Sequence, residues 1–343
     1  MRAMLVHGPR DVRPGDLPLP EPGPGQVLVR VKAVGICGSD VHNYVYGEIG
    51  GARIQEPLII GHELSGVVEA LGPGVDGPPV GTPVAVDPNI SCGQCEFCQE
   101  GSPNICRQVR FFGVAPHHGG LREYLTHPAD LVFPLPEGMT FDEGAILEPM
   151  GVALYSVGLA DVHLGDRVAV LGCGPIGLLS VQLVRNSGAA EIVASDLVVE
   201  RLGAARRFGA DMAWNASCED VVARIMDHTR GRGVDVAIET AGAPEAVEQA
   251  MEVAKPGGTV VLVGIPDEDR ISFRASTARR KGLTIRLDRR MKHTYPRCIA
   301  LAQAGRVNLR ALATHHFPLE RLEEAFDLVI RRADGVLKAI IEV

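Results

Sequence analysis

Hydrophobic and polar positions follow two different textures along the 343-residue chain. Through about residue 150 the apolar runs are short and broken by glycine and proline. Val27-Leu28-Val29-Arg30-Val31 and Gly66-Val67-Val68-Glu69-Ala70-Leu71 have the β-branched composition of strands. Pro18, Pro20, Pro22 and Pro24 precede the first of them and hold an extended connection. This part predicts a mostly β domain of short strands and tight turns. From about residue 153 continuous apolar runs alternate with helix-like stretches. Strands are predicted at 167–171, 191–195, 234–238 and 259–263, with helices at 175–187, 197–208 and 243–253 between them. Largely continuous apolar strands, alternating with helices, predict a parallel sheet covered on both faces. Helices around 297–304 and 320–331 and a strand at 339–343 then complete the chain and are expected to return to the first domain. The reading is an α/β protein with a β domain over 1–152 and 288–343 and a doubly wound domain over 153–287.

Composition narrows the classes. At 46% hydrophobic and 22% charged the chain is globular, and its length suits two domains. A net charge of −8 argues against nucleic acid or an anionic membrane as the main partner. No run of about 18 apolar residues predicts a membrane span, and the first residues have no signal-peptide pattern. A cytoplasmic location is expected.

Cys92, Cys95, Cys98 and Cys106 follow one another as C-x2-C-x2-C-x7-C on a turn-rich loop. Four thiolates at this spacing suit one tetrahedral zinc ion, and with all positions filled none remains for a substrate. The cluster therefore predicts a structural zinc site. Two disulfides would instead require an oxidising compartment, to which nothing in the chain points.

After the 167–171 strand comes Gly172-Cys173-Gly174-Pro175-Ile176-Gly177, a G-x-G-x-x-G turn with a strand before it and a helix after it. Gly172 allows the tight turn, Gly174 lets the backbone approach a pyrophosphate, and Gly177 lets helix and strand pack closely. Pro175 suits the first helical turn, whose free N–H groups face the phosphates. Asp196 closes the second strand, where a carboxylate binds ribose hydroxyls and repels a 2′-phosphate, favouring NAD over NADP. Arg201 nearby is able to help bind a phosphate, and an ordinary helix cap is the other reading of Asp196.

Two short motifs in the first domain gather further metal-binding types: Cys37-Gly38-Ser39-Asp40-Val41-His42 and Gly61-His62-Glu63. A catalytic zinc takes three protein ligands and leaves one position open. Cys37 and His62 supply two, and Glu63 or the more distant Glu148, near the expected domain junction, supplies the third.

From Gly61 the chain reads Gly-His-Glu, then Gly66, Gly72 and Val75 at fixed intervals. With residues 36–47, Phe111-Phe112, Glu148-Pro149, the Gly172 turn and residues 314–320, it resembles the zinc-dependent medium-chain alcohol dehydrogenases, and among them the sorbitol (polyol) dehydrogenases. The resemblance implies a GroES-like β domain carrying two zinc sites, a Rossmann domain binding NAD, and a homotetramer. It implies a catalytic zinc on Cys37, His62 and Glu63 or Glu148, acting as a Lewis acid while hydride passes between a secondary alcohol and the nicotinamide. Ser39 is implied as the proton acceptor, His42 as its relay, and Asp40 as the group orienting His62. Phe112 and Arg290 match pocket positions, Arg290 as a partner of polyol hydroxyls. Met291 stands where tyrosine is usual, Asn43 where an aromatic residue is usual, and Ala115 where threonine is usual. Arg289, Arg290 and Lys292 form a basic cluster that suits a carboxylate or phosphate, or a solvated face. The expected activity is oxidation of a polyol to a ketose. L-threonine or another secondary alcohol is the alternative within the family, and a non-catalytic cofactor-binding protein the alternative outside it.

Overall fold

The short, alternating strands of the N-terminal part build a seven-stranded sheet in the computed structural model, which describes residues 1–343. Its path runs Val132–Pro134, Pro83–Val86, Glu63–Leu71, Gln26–Gly35, Lys338–Glu342, Ala313–Pro318, and Tyr124–Pro128 also pairs with Gln26–Gly35. Gln26–Gly35 is thus the centre of the sheet, and the C-terminal strand lies directly beside it. The antiparallel registers bring Glu63 and Ile340 opposite Gly35. Val27, Val29, Val34, Ile59, Ile60, Leu64, Val68, Leu125 and Ile341 form the core beneath this sheet. The last strand therefore carries its residues back to the segment before Cys37.

The continuous apolar runs of the second part form a six-stranded parallel sheet. Its strands are β1 (Arg167–Leu171), β2 (Glu191–Asp196), β3 (Met212–Asn215), β4 (Val234–Glu239), β5 (Ala254–Leu262) and β6 (Thr284–Leu287). They lie in the order β3-β2-β1-β4-β5-β6, all parallel. Val168, Ala169, Val170 and Leu171 are fully buried, the reason their run shows no alternation. Strand order reverses between β1 and β4, and at such a switch point the carboxyl ends of the strands leave a ligand crevice. The edge strand β6, Thr-Ile-Arg-Leu, is largely exposed and gave no apolar run to read.

The chain divides into one compact unit of Met1–Glu148, Tyr295–Gln303 and Leu309–Val343 and another of Pro149–Thr294 and Ala304–Asn308. The chain passes between them at Glu148/Pro149, Thr294/Tyr295, Gln303/Ala304 and Asn308/Leu309. A helix over Phe141–Ala160, not anticipated because Pro149 sits inside it, spans the first passage. No helix is long and apolar enough to cross a membrane.

Candidate metal centres and dinucleotide site

The four clustered cysteines converge without bonding to each other. Their Sγ atoms lie 3.5 Å apart for Cys95–Cys98 and Cys92–Cys106, 3.8 Å for Cys95–Cys106 and 4.0 Å for Cys92–Cys98. A disulfide needs about 2.05 Å, so the paired-disulfide alternative falls. Sulfurs placed tetrahedrally at about 2.3 Å from one zinc stand about 3.8 Å from each other, so the four fit the ion. Backbone N–H groups of Cys92 and Gln108 point at Cys106 Sγ, each at 3.3 Å, and stabilise thiolate charge.

In the same unit Cys37, His62 and Glu63 offer one Sγ, one ring nitrogen and one carboxylate oxygen, all within 4.8 Å of one another. This mixed donor set fits a catalytic zinc. Cys37 precedes the helix Gly38–Tyr46, and its N–H donates to Asp40 Oδ2 at 3.0 Å. Asp40 Oδ1 accepts from Gly61 N–H at 3.0 Å and lies 3.4 Å from His62 Nδ1. One buried carboxylate thus braces both ligand-bearing segments and faces the ring nitrogen turned from Ser39, whose Oγ lies 3.5 Å from Nε2. Burial opposes charge on His62, yet Asp40 and Cys37 outweigh it and hold its pKa well above the ordinary histidine value.

Glu148 is not in this close trio. It is 4% exposed, and burial pushes its pKa up to about 7, with His62 and Lys338 pulling down and Glu63 and Asp87 pushing up. Both carboxylates are thus in the neighbourhood, with Glu63 the nearer to Cys37 and His62.

Lys338 was missed by sequence reasoning. Its Nζ forms an ion pair with Glu63 Oε2 at 2.5 Å and donates to the carbonyl of Ile36 at 3.0 Å, and the residue is 3% exposed. Burial works against its charge, but Glu63 and Cys37 outweigh it and raise its pKa. The signal was present: a lysine inside the buried run Leu337-Lys338-Ala339-Ile340-Ile341 requires a buried anion. Gly35 makes room for the pair, since a Cβ there would stand 2.3 Å from Glu63 Oε2.

The pocket positions are distributed less simply. Phe111 stands beside His62, with ring centroids 5.2 Å apart. Phe112 is buried in the core, edge-on to His127 and under the Arg122 guanidinium. His42 lies half-buried on the Gly38–Tyr46 helix against Tyr46, and Asn43 is buried. Arg290 and His293 both adopt left-handed φ, at 57° and 51°. Such non-glycine strain gathers at functional loops.

In the second unit Gly172 has φ +101°, and a Cβ on Gly177 would lie 1.9 Å from the Gly172 carbonyl oxygen, so both positions require glycine. Gly174 caps the helix Pro175–Asn186 with Pro175 in its first turn. Asp196 Oδ2 accepts from the Cys173 N–H at 2.7 Å and Oδ1 from Val198 N–H at 2.9 Å. The N-cap of the next helix is Val198, so Asp196 stands ahead of the cap. Arg201 packs over the turn, its Nη1 4.0 Å from where a Gly174 Cβ would be. If the Asp196 carboxylate accepts ribose hydroxyls, Asp196→Ala is expected to weaken NADH about 10- to 100-fold and to lower the ratio of the NADPH to the NADH dissociation constant. Fluorescence titration with both dinucleotides measures this; unchanged affinity for both would leave Asp196 only its two backbone bonds.

Comparison with known proteins agrees with both units. Residues 23–137 match the alcohol dehydrogenase GroES-like domain, and residues 175–304 match the zinc-binding dehydrogenase family. The chain is 35% identical over 341 residues to a sorbitol dehydrogenase of Bacillus subtilis, covering 99% of this chain and 97% of that one. It superposes on an alcohol dehydrogenase from Escherichia coli CFT073 complexed with NADH, with TM-score 0.92, 31% identity and coverage of 100% and 99%. A zinc-binding dehydrogenase from Sinorhizobium meliloti bound to NADP gives TM-score 0.90, 32% identity and coverage of 100% and 99%.

Proposed function

The chain belongs to the zinc-dependent medium-chain dehydrogenase/reductase superfamily and is an NAD(P)-dependent zinc oxidoreductase, and from that premise we propose that it oxidises a secondary hydroxyl of a polyol of the sorbitol or xylitol type to the ketose. The observation that carries this reading is the Cys37–His62–Glu63 trio in a chain alike over nearly its whole length to a sorbitol dehydrogenase. NAD is the proposed cofactor, through Asp196, and two zinc ions per chain are proposed, one in each cluster.

Cys37, His62 and a carboxylate, Glu63 or Glu148, would hold a zinc ion, which would supply Lewis acidity toward the alcohol oxygen, and a bound nicotinamide dinucleotide would supply the hydride acceptor. The residues do the remainder. Asp40 fixes the orientation of His62 and the path of the chain at Cys37, as outer partners of metal-binding histidines do. Lys338 holds Glu63 by charge and ties it to the carbonyl before Cys37. Ser39 and His42 are three residues apart on one helix and share a face. Ser39 is proposed to take the hydroxyl proton and His42 to pass it to water.

Arg290 is proposed to donate to hydroxyls beyond the reacting carbon. A site built to hydrogen-bond such groups discriminates strongly, because an analogue lacking them leaves buried polar atoms unpaired. Arg290→Ala is therefore expected to lower kcat/KM on xylitol at least about 10-fold more than on 2-butanol. Equal losses on both would remove Arg290 from substrate recognition. With Met291 and Asn43 in place of aromatic residues, several polyols should be accepted.

A further inference from the structure

The strand ends that border the switch point of the parallel sheet are tied together by two consecutive side chains. Glu239, the last residue of β4, is 0% exposed, and its Oε1 accepts the N–H groups of Ala241 at 2.6 Å and Gly242 at 2.7 Å. The neighbouring turn is bound to the same residue, since the N–H groups of Val263 and Gly264 donate to its carbonyl oxygen at 2.8 and 3.2 Å. The two turns then pass in backbone contact. A Cβ on Gly264 would stand 2.1 Å from Gly242 N and 2.9 Å from Glu239 Oε2, and one on Gly242, at φ +71°, would stand 2.4 Å from the Ile265 carbonyl. Thr240 reaches the other way, its Oγ1 donating to the Gly172 carbonyl at 2.8 Å, the first glycine of the phosphate turn.

No lysine or arginine pairs with the Glu239 carboxyl; burial pushes its pKa up, and the N–H groups of Gly242, Ala241 and Gly264 oppose the shift. Burying a carboxyl on backbone donors alone is costly. What it secures here is the shape of the turn after β4, which lies between the turns after β1 and β5 at the edge where such sheets bind dinucleotides.

We infer that Glu239 is a positioning residue for the cofactor: its carboxylate orders the turn after β4, which packs on the turn after β5 and is joined through Thr240 to the Gly172 turn, so that the dinucleotide meets a preformed surface. This rests on the reading of this unit as the NAD(P) site. Pre-organisation of that kind acts on affinity, because a loosened surface must be ordered again when ligand binds.

The test compares NADH dissociation constants of the zinc-loaded full chain. Glu239→Gln keeps an acceptor for both N–H groups and is expected to stay within about 3-fold of wild type. Glu239→Ala removes it and is expected to raise Kd about 10- to 100-fold, raising the KM for NAD while kcat at saturating NAD and the zinc content change little. Glu239→Asp withdraws the carboxylate by one methylene, is expected at about 5-fold, and keeps the test decisive if the alanine variant folds poorly. Val253→Ala is the control: Val253 is fully buried beside the opposite end of β4, where its carbonyl would meet a Cβ on Gly233 at 2.5 Å. It is expected to lower the melting temperature without moving Kd. Wild-type NADH affinity in folded Glu239→Ala or Glu239→Asp, or an equal loss in Val253→Ala, would overturn the inference. A wild-type chain that bound neither NADH nor NADPH would overturn the reading of the unit and the inference with it.

Discussion

Cys37→Ala or His62→Ala is expected to abolish turnover, lowering kcat/KM at least about 1,000-fold, as a Lewis acid contributes several kcal/mol at the developing charge. The same variants should lose about one zinc per chain, because the trio of ligand atoms within 4.8 Å is reduced to two. NADH should still bind near normally. The groups proposed to hold it, the Gly172 turn and Asp196, belong to the other compact unit. The three readings together separate a catalytic loss from a folding loss: kinetics, zinc by elemental analysis, and NADH titration. Substantial activity in either variant would move the reacting centre elsewhere in the molecule.

Cys95→Ser should act on stability instead. Cys95 stands 3.5 Å from Cys98 and 3.8 Å from Cys106, so its loss opens the four-sulfur set at two contacts. The loop has little apolar core of its own: Cys92, Cys95 and Cys98 are half-buried, and only Asn104 and Cys106 are buried. A zinc ion on the four cysteines is then the proposed means of ordering it, with metal affinity becoming folding free energy. With a loss of about 3 to 5 kcal/mol, the melting temperature should fall by about 10 °C, with one zinc lost and kcat/KM within about 3-fold for the folded fraction. Loss of turnover in a variant as stable as wild type would contradict a purely structural role.

Much of this was legible because the chemistry left local marks. The cysteine spacing, the G-x-G-x-x-G turn between strand and helix, and the apolar run Val168–Leu171 of β1 are each set by neighbours in sequence. What escaped was set by tertiary partners. Lys338 is distant in sequence from Glu63, and only the pairing of the C-terminal strand with Gln26–Gly35 brings them together. The helix Phe141–Ala160 escaped because Pro149 reads as a breaker, although its apolar residues Ala145, Ile146, Leu147 and Met150 are fully buried and tertiary packing overrides the propensity. Glu239 carried no motif at all, because its role lies in backbone N–H groups that sequence does not display.

The substrate class is decided by the rate of NADH formation from NAD by the zinc-loaded wild-type chain, with sorbitol, xylitol, 2-butanol and L-threonine side by side. The expected result is a kcat/KM for at least one of the two polyols above those for 2-butanol and L-threonine, and abolished by His62→Ala. No NADH from either polyol, with steady turnover of L-threonine or 2-butanol, would contradict it.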